Sequence, residues 1–217
     1  MAHPTREECL KYLDAYSTPA KVIGHCKAVA AVAAKLGEAL NQSGGTKAAA
    51  VSHIEIEKVK RDGDGGRFFY RSVTAEGPEL PYRPFDMDMV WAAGLLHDMA
   101  RVEECHWDVA ADFCEERGYY DVAKIIRAHM QFEFTCDAQH LSEIDLVCLG
   151  DRLTMEDRYV GLDRRMEYVI QKAERNGHPE ARPIILEKKI HTRKLLDEIE
   201  KRTGSIDALM ENLDYDR

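Results

Sequence analysis

The sequence lacks the features that mark several large classes of protein. Its six cysteines include no CxxC pair and form no dense framework, so a reducing, cytoplasmic setting is the simplest interpretation. No apolar run approaches the roughly 20 residues of a membrane span, and the polar first residues carry no signal-peptide core. The net charge of −9 argues against a general nucleic-acid binder and a polybasic membrane anchor. We therefore expect a cytoplasmic protein with no membrane or general nucleic-acid partner.

The composition is that of a chain with enough apolar material for a core. Of the 217 residues, 45% are hydrophobic and 32% are charged, which excludes a disordered or collagen-like chain. The length corresponds to one domain, or to one domain with an insertion. An acidic protein that handled phosphates would have to recruit them with local cations or metals.

Hydrophobic periodicity predicts an all-α bundle with one small β insertion. Apolar residues recur at helical spacing over 4–16, 20–41, 86–100, 103–117, 119–131, 142–156, 160–176 and 179–203. Between 51 and 75, Ile54 and Ile56 alternate with glutamates, and a Gly/Asp-rich run then interrupts the chain, which predicts a β-hairpin. We expect a single domain over 1–217, with its core at about 18–160, a hairpin insertion at 44–84 and a C-terminal helical extension at 160–217.

Six ionisable residues lie where the helical pattern predicts the core. They are His25, His97, Asp98, His106, His129 and Asp151. A carboxylate on an apolar helix face costs several kcal/mol unless it is paired or bound to a cation. Ion pairs with Arg101 and Arg152, the nearest basic residues in sequence, are one explanation, but they do not account for four histidines on the same faces. A buried cation does, since imidazole and carboxylate are suitable ligands for Fe, Mn, Zn or Co.

The adjacent pair His97 and Asp98 carries further information. Neighbours on a helix diverge by about 100°, so both can reach a shared centre only from a helix end or between two metals. A carboxylate can bridge two ions while each ion takes its own histidines. This arrangement is typical of two-metal hydrolysis, with ions about 3.5–4 Å apart.

The segment 95–101, Leu-Leu-His-Asp-Met-Ala-Arg, resembles the signature of the HD superfamily of metal-dependent phosphohydrolases. His25 upstream and Asp151 downstream complete that family's H…HD…D set, and His106 and His129 resemble the two extra histidines of its binuclear members. The resemblance covers roughly 18–160 without the hairpin. The gap between His25 and the HD pair is longer than in compact members, and Met-Ala-Arg follows the pair where many members have Ile and Lys or Gly.

The resemblance implies a helical HD fold and hydrolysis of a phosphoester or phosphoanhydride, with a nucleotide or dinucleotide as the leading substrate class. It implies two divalent ions, the first held by His25, His97, Asp98 and Asp151, and the second by His106 and His129 with Asp98 as the bridge. Asp98 and Arg101 are the predicted catalytic residues. Arg101 would neutralise charge on the phosphate, although a salt bridge to Asp98 explains it equally well. Lys124 and Arg127, about one turn before His129, are predicted to line the mouth of the site.

Two other functions fit the same residues. The same six-ligand set holds two irons in HD-type oxygenases, and a non-catalytic signalling domain could keep the metal site for structure alone. The hairpin has two interpretations as well. Its aromatic and basic residues suit a cover over the site, whereas a surface decoration or the contact of a homodimer requires nothing of the site.

Overall fold

The computed structural model describes residues 2–50, 55–60, 68–73, 80–134 and 137–215. These residues form nine α-helices and two antiparallel hairpins, which confirms the predicted all-α bundle with a small β insertion. The helices are α1 Arg6–Ala15, α2 Ala20–Gln42, α3 Met87–Leu96, α4 His106–Glu115, α5 Tyr120–Ala128, α6 Glu143–Leu153, α7 Gly161–Arg175, α8 Ala181–Thr203 and α9 Ile206–Leu209. The strands are β1 Glu55–Lys60, β2 Phe68–Val73, β3 Thr154–Met155 and β4 Arg158–Tyr159. None of the described helices is long and apolar enough to cross a membrane.

Helix α2 packs closely against both α3 and α6 because glycine lies at each crossing. A Cβ atom at Gly94 of α3 would lie 2.7 Å from the Cα of Ala30, and one at Gly150 of α6 would lie 2.7 Å from the carbonyl oxygen of Val29. Any larger residue would force the helices apart at these points. Both crossings lie beside the segments that carry predicted metal ligands, so the close packing also sets the distances within the site.

Helices α3 and α5 end earlier than their periodicity predicts, each just before a histidine. Helix α3 ends at Leu96 rather than near 100, and α5 ends at Ala128 rather than 131, where a single 3-10 turn follows. In both cases the next residue is a histidine whose ring donates to a carbonyl oxygen in the last helical turn: His97 to Gly94 and His129 to Ile126. Each ring thus caps a carbonyl group in the last turn of its helix, where backbone donors run out.

The base of the insertion is clamped to the start of α6. Thr46 and Arg83 form an isolated antiparallel bridge, and the Arg83 guanidinium donates to both carboxylate oxygens of Glu143 at 2.7 and 3.0 Å. The Glu143 side chain is only 1% exposed. The bridge therefore holds the two ends of the insertion together, and the ion pair holds them against α6.

The predicted hairpin is formed by β1 and β2, with Glu55 opposite Val73 and Lys60 opposite Phe68. The parts of the prediction at 51–54, 61–67 and 74–75 lie outside the described residues. The backbone of Tyr70 pairs in parallel with Phe132, just after the turn that carries His129. The hairpin is thus attached to the segment that follows His129 directly in the chain.

The C-terminal extension consists of α7, α8 and α9. Asp163 of α7 accepts from Lys189 and Arg193 of α8 at 2.7 and 3.3 Å, which links the two long helices. Before α7, the predicted helix 142–156 ends at Leu153, and β3 and β4 form a small hairpin in its place. Glu156, in the turn of this hairpin, has a φ of 56°. Glycine and asparagine adopt this left-handed conformation more readily than glutamate, so the residue at this position does not predict the turn.

Candidate metal centre and its cavity

The predicted ligands come from five parts of the bundle. His25 lies in the second turn of α2, His97 and Asp98 follow the end of α3, His106 is the first residue of α4, His129 opens the 3-10 turn after α5, and Asp151 lies near the end of α6. Three of the four histidines are thus at helix termini, where a side chain can turn towards a common centre.

The two carboxylate oxygens of Asp98 face different pairs of histidines. Oδ1 lies 2.9 Å from Nε2 of His106 and 3.7 Å from Nε2 of His129. Oδ2 lies 3.8 Å from Nε2 of His97 and 3.9 Å from Nε2 of His25. Each histidine pair and Asp98 offer donor atoms that all lie within 4.8 Å of one another. This is the arrangement expected of a carboxylate shared between two cation sites.

The ring orientation of three histidines is fixed by backbone carbonyl groups. Nδ1 of His25, His97 and His129 lies 3.0, 2.8 and 2.7 Å from the carbonyl oxygens of Glu156, Gly94 and Ile126. A carbonyl oxygen only accepts, so each Nδ1 carries the proton, and in a neutral ring Nε2 then has a free lone pair. These lone pairs point at carboxylate oxygens, a contact that is repulsive unless the ring is protonated or a cation lies between the two atoms. The donor set therefore fits a metal ion.

The charge states of His97 and Asp98 agree with this interpretation. Burial lowers the pKa of His97 to about 4, so its ring is neutral at pH 7, as a metal ligand must be. Burial disfavours the charged form of Asp98, but the surrounding histidines outweigh it and hold the pKa of this carboxyl well below its usual range. Asp98 is therefore an anion whose side chain is only 7% exposed, and it needs a positive partner.

Asp151 joins the same cluster from the side of α6, with its Oδ1 atom 3.3 Å from Nε2 of His25. Arg165 of α7 donates to the same Oδ1 at 3.0 Å and to the Asp151 carbonyl oxygen at 3.2 Å. Burial disfavours the charge on Asp151, yet His25 and Arg165 hold its pKa well below the usual range. The role of Arg165 could not be predicted, because it lies 14 residues beyond Asp151 and across an unpredicted hairpin.

Arg101 lies at the edge of the cluster. Its Nη1 atom is 2.8 Å from Nε2 of His106 and 3.4 Å from Oδ1 of Asp98, while 36% of its side chain remains exposed. The predicted salt bridge to Asp98 is therefore present, and the same side chain lines the cavity described next. Arg152 takes no part in the cluster through hydrogen bonds: it donates to the Phe132 carbonyl oxygen and to Thr192.

A cavity of about 390 Å³ opens onto the cluster, within the range of about 300–1,000 Å³ that is typical of small-molecule sites. His25, Asp98, His129 and Asp151 contribute to its lining. Six of its 18 lining residues are Lys or Arg, compared with 30 of 217 in the whole chain. They are Lys21, Arg101, Arg152, Arg165, Lys172 and Lys188.

Lys124 and Arg127, the residues predicted to line the mouth of the site, are not among the residues that line this cavity. Arg127 instead contacts three carboxylates of α4, those of Asp108, Asp112 and Glu115, at 3.1, 2.8 and 2.9 Å. The described hairpin residues do not contribute to the lining either.

Comparison with known proteins assigns the central part of the chain to one family. The family model described as HD domain matches residues 22–156, a range that contains all six predicted ligands and the hairpin insertion. No curated protein and no solved structure matches the chain significantly. The match ends before α7, so the two helices that complete the cavity lie outside it.

Proposed function

The chain belongs to the HD domain family, and we propose that it is a metal-dependent phosphohydrolase that cleaves a phosphoester or phosphoanhydride bond of a small phosphorylated substrate. A nucleotide is the substrate class that we favour, and two ions of Fe, Mn, Zn or Co are the cofactor. The scattered cysteines, of which Cys9, Cys26, Cys114 and Cys148 are buried and unpaired, are the basis for proposing a cytoplasmic setting.

The observation that carries this proposal is the division of the Asp98 oxygens between two histidine pairs, at the floor of a cavity rich in cationic residues. Bound divalent ions would lower the pKa of a water molecule and polarise phosphoryl oxygens, which are the two requirements of phosphate hydrolysis. An arrangement made only for structural stability would not need an open, cationic cavity beside it.

The protein's own residues have separate tasks in this proposal. The backbone acceptors of His25, His97 and His129 keep their Nε2 atoms aimed at the centre, which preserves the ligand geometry before the substrate arrives. Arg165 orients Asp151. Arg101, partly exposed and next to Asp98, offers N–H groups to the charge that develops on the phosphoryl oxygens.

The proposal is tested with protein loaded with Mn²⁺ or Fe²⁺ by the hydrolysis of p-nitrophenyl phosphate, nucleoside phosphates and dinucleoside polyphosphates, followed through p-nitrophenol, phosphate and nucleotide products. We expect turnover by the wild type and none by Asp98→Ala. Arg101→Gln should lose at least tenfold in kcat while it retains its metal content, because the residue acts on the substrate charge rather than as a ligand.

A matched control is His140→Gln, which removes a histidine paired with Asp137 at the surface and should behave as the wild type. No hydrolysis of any of these compounds by metal-saturated wild type would refute the proposal. Oxygen consumption by the iron-loaded protein in place of hydrolysis would favour the oxygenase, and the absence of both activities would favour the non-catalytic signalling domain.

A further inference from the structure

Arg101 places a positive charge on two of the atoms that would hold the second ion. Its Nη1 atom lies 2.8 Å from Nε2 of His106 and 3.4 Å from Oδ1 of Asp98, and Nε2 and Oδ1 lie 2.9 Å apart. A guanidinium group only donates hydrogen bonds, so Nε2 presents its lone pair to this contact. The guanidinium group of Arg101 therefore serves as the cation that this ring and this carboxylate require.

The lone pair of His106 cannot serve two partners at once. A neutral imidazole has one nitrogen with a free lone pair, and a metal ion approaches this nitrogen along the lone pair to about 2.0–2.1 Å. While the N–H group of Arg101 occupies that direction, His106 cannot bind an ion. The guanidinium charge also repels a divalent ion at Oδ1 of Asp98. Asp98, His106 and His129, the second ligand group, are therefore closed to metal as long as Arg101 stays in place.

The first ligand group, which consists of His25, His97, Asp98 and Asp151, has an arginine contact of a different kind. Arg165 donates to Oδ1 of Asp151, but a carboxylate has about four lone-pair sites on its two oxygens. Asp151 can therefore accept from Arg165 and bind an ion together. Nε2 of His25 lies 3.3 Å from Asp151, and Nε2 of His97 lies 3.8 Å from Asp98, so both ring nitrogens face carboxylates. The first ligand group is thus open to an ion without rearrangement.

The position of Arg101 allows its side chain to withdraw from the second ligand group. The side chain is 36% exposed, and its Nη1 atom also lies 3.9 Å from the sulfur of Met130. Both residues line the cavity, so rotation about the side-chain bonds can move the guanidinium group from the ring of His106 into this space. There it meets the phosphate group of the proposed substrate.

We infer that Arg101 and the second metal ion exclude one another, so that the guanidinium group closes the second ligand group until an ion displaces it into the cavity. The protein therefore fills its first ligand group before its second, and the second fills only at a higher metal concentration. The inference rests on the proposed function for the presence of two ions, but not for the reaction. Under it, the same displacement completes the metal centre and releases Arg101 for the substrate.

The test is a calorimetric titration of the chelator-treated full chain with Mn²⁺. The wild type should bind a second ion about tenfold or more weakly than the first, because that ion must replace charge-assisted hydrogen bonds of Arg101. Arg101→Met has neither the charge nor the donors, so it should bind the second ion about tenfold or more tightly than the wild type does. The affinity for the first ion should change much less. Arg101→Met combined with His106→Gln should lose the gain, which assigns it to the second ligand group.

Arg175→Met is the matched control, because it removes the same charge from an exposed position of α7 outside the lining of the cavity. Both of its dissociation constants should match those of the wild type. Two equally tight sites in the wild type, or a second dissociation constant that Arg101→Met leaves unchanged, would overturn the inference.

The titration also separates this inference from the proposed function, since it measures ion binding without any substrate. A second site that tightens in Arg101→Met, in a protein that hydrolyses none of the tested compounds, would support the inference and refute the hydrolase. Hydrolysis by a wild type whose second dissociation constant does not depend on Arg101 would do the reverse.

Discussion

The shared position of Asp98 predicts how metal content should change when single ligands are replaced. Wild-type protein should bind about two transition-metal ions per chain. His106→Gln removes a ligand that faces only Oδ1 of Asp98, so it should lose mainly one ion. Asp98→Ala removes the oxygens that face both histidine pairs and should lose both, although the fold can survive because the buried charge leaves together with its cations.

The magnitude follows from linkage between binding and folding. An ion present at 100 times its dissociation constant stabilises the folded state by about 2.7 kcal/mol. For a chain of this size, each kcal/mol raises Tm by about 2–4 °C. Saturating Mn²⁺ should therefore raise the Tm of the wild type by about 10–20 °C if both sites fill, that of His106→Gln by about half as much, and that of Asp98→Ala hardly at all.

The assay is a thermal melt of chelator-treated protein across a Mn²⁺ titration, with elemental analysis of the same samples. His140→Gln is the control for the loss of an exposed histidine and should match the wild type. The reasoning fails if reconstituted wild type contains no metal, or if Asp98→Ala gains as much in Tm as the wild type does.

Two further predictions concern the packing that positions the site, and both are measured by urea unfolding. Gly94→Ala should lower the free energy of unfolding by up to about 2 kcal/mol, because contact with the backbone of Ala30 costs about 1–3 kcal/mol and helix propensity returns about 1. Gly37→Ala, which would meet only flexible side-chain ends, should leave stability unchanged or slightly raised, and an equal loss in both variants would contradict the role of the crossing. Arg83→Met should cost about 3–5 kcal/mol, since it leaves the buried Glu143 carboxylate without its cation, and a loss below 1 kcal/mol would show that the clamp is dispensable.

The elements and the set of candidate ligands could be predicted because helical periodicity reports directly on burial. His25 and Asp151 stand out on apolar stripes, and the adjacent pair His97–Asp98 raises the question of how neighbours can share one centre. The structure answers that question with the early end of α3. The pattern could not predict where α3 ends, because that end involves a hydrogen bond from a ring nitrogen of His97 to the Gly94 carbonyl oxygen.

The partners of charged residues could not be predicted, because periodicity identifies a face but not what packs against it. Arg127 lies near His129 in sequence, yet the acidic face of α4 takes its guanidinium away from the cavity. Arg165 shows the opposite case, since the unpredicted β3–β4 hairpin turns α7 back so that this arginine reaches Asp151.

The C-terminal extension shows the same limit of sequence periodicity. In the sequence of α7, Lys172 is one of several basic residues on an amphipathic helix, and its pattern alone predicts a solvated face. In the structure it lines the cavity, and α8, which packs alongside, brings Lys188 to the same cavity. The position of each lysine relative to the metal ligands depends on the pairing of α7 with α8, which Asp163 fixes through Lys189 and Arg193. A contact outside the cavity therefore determines which cations a substrate would meet inside it.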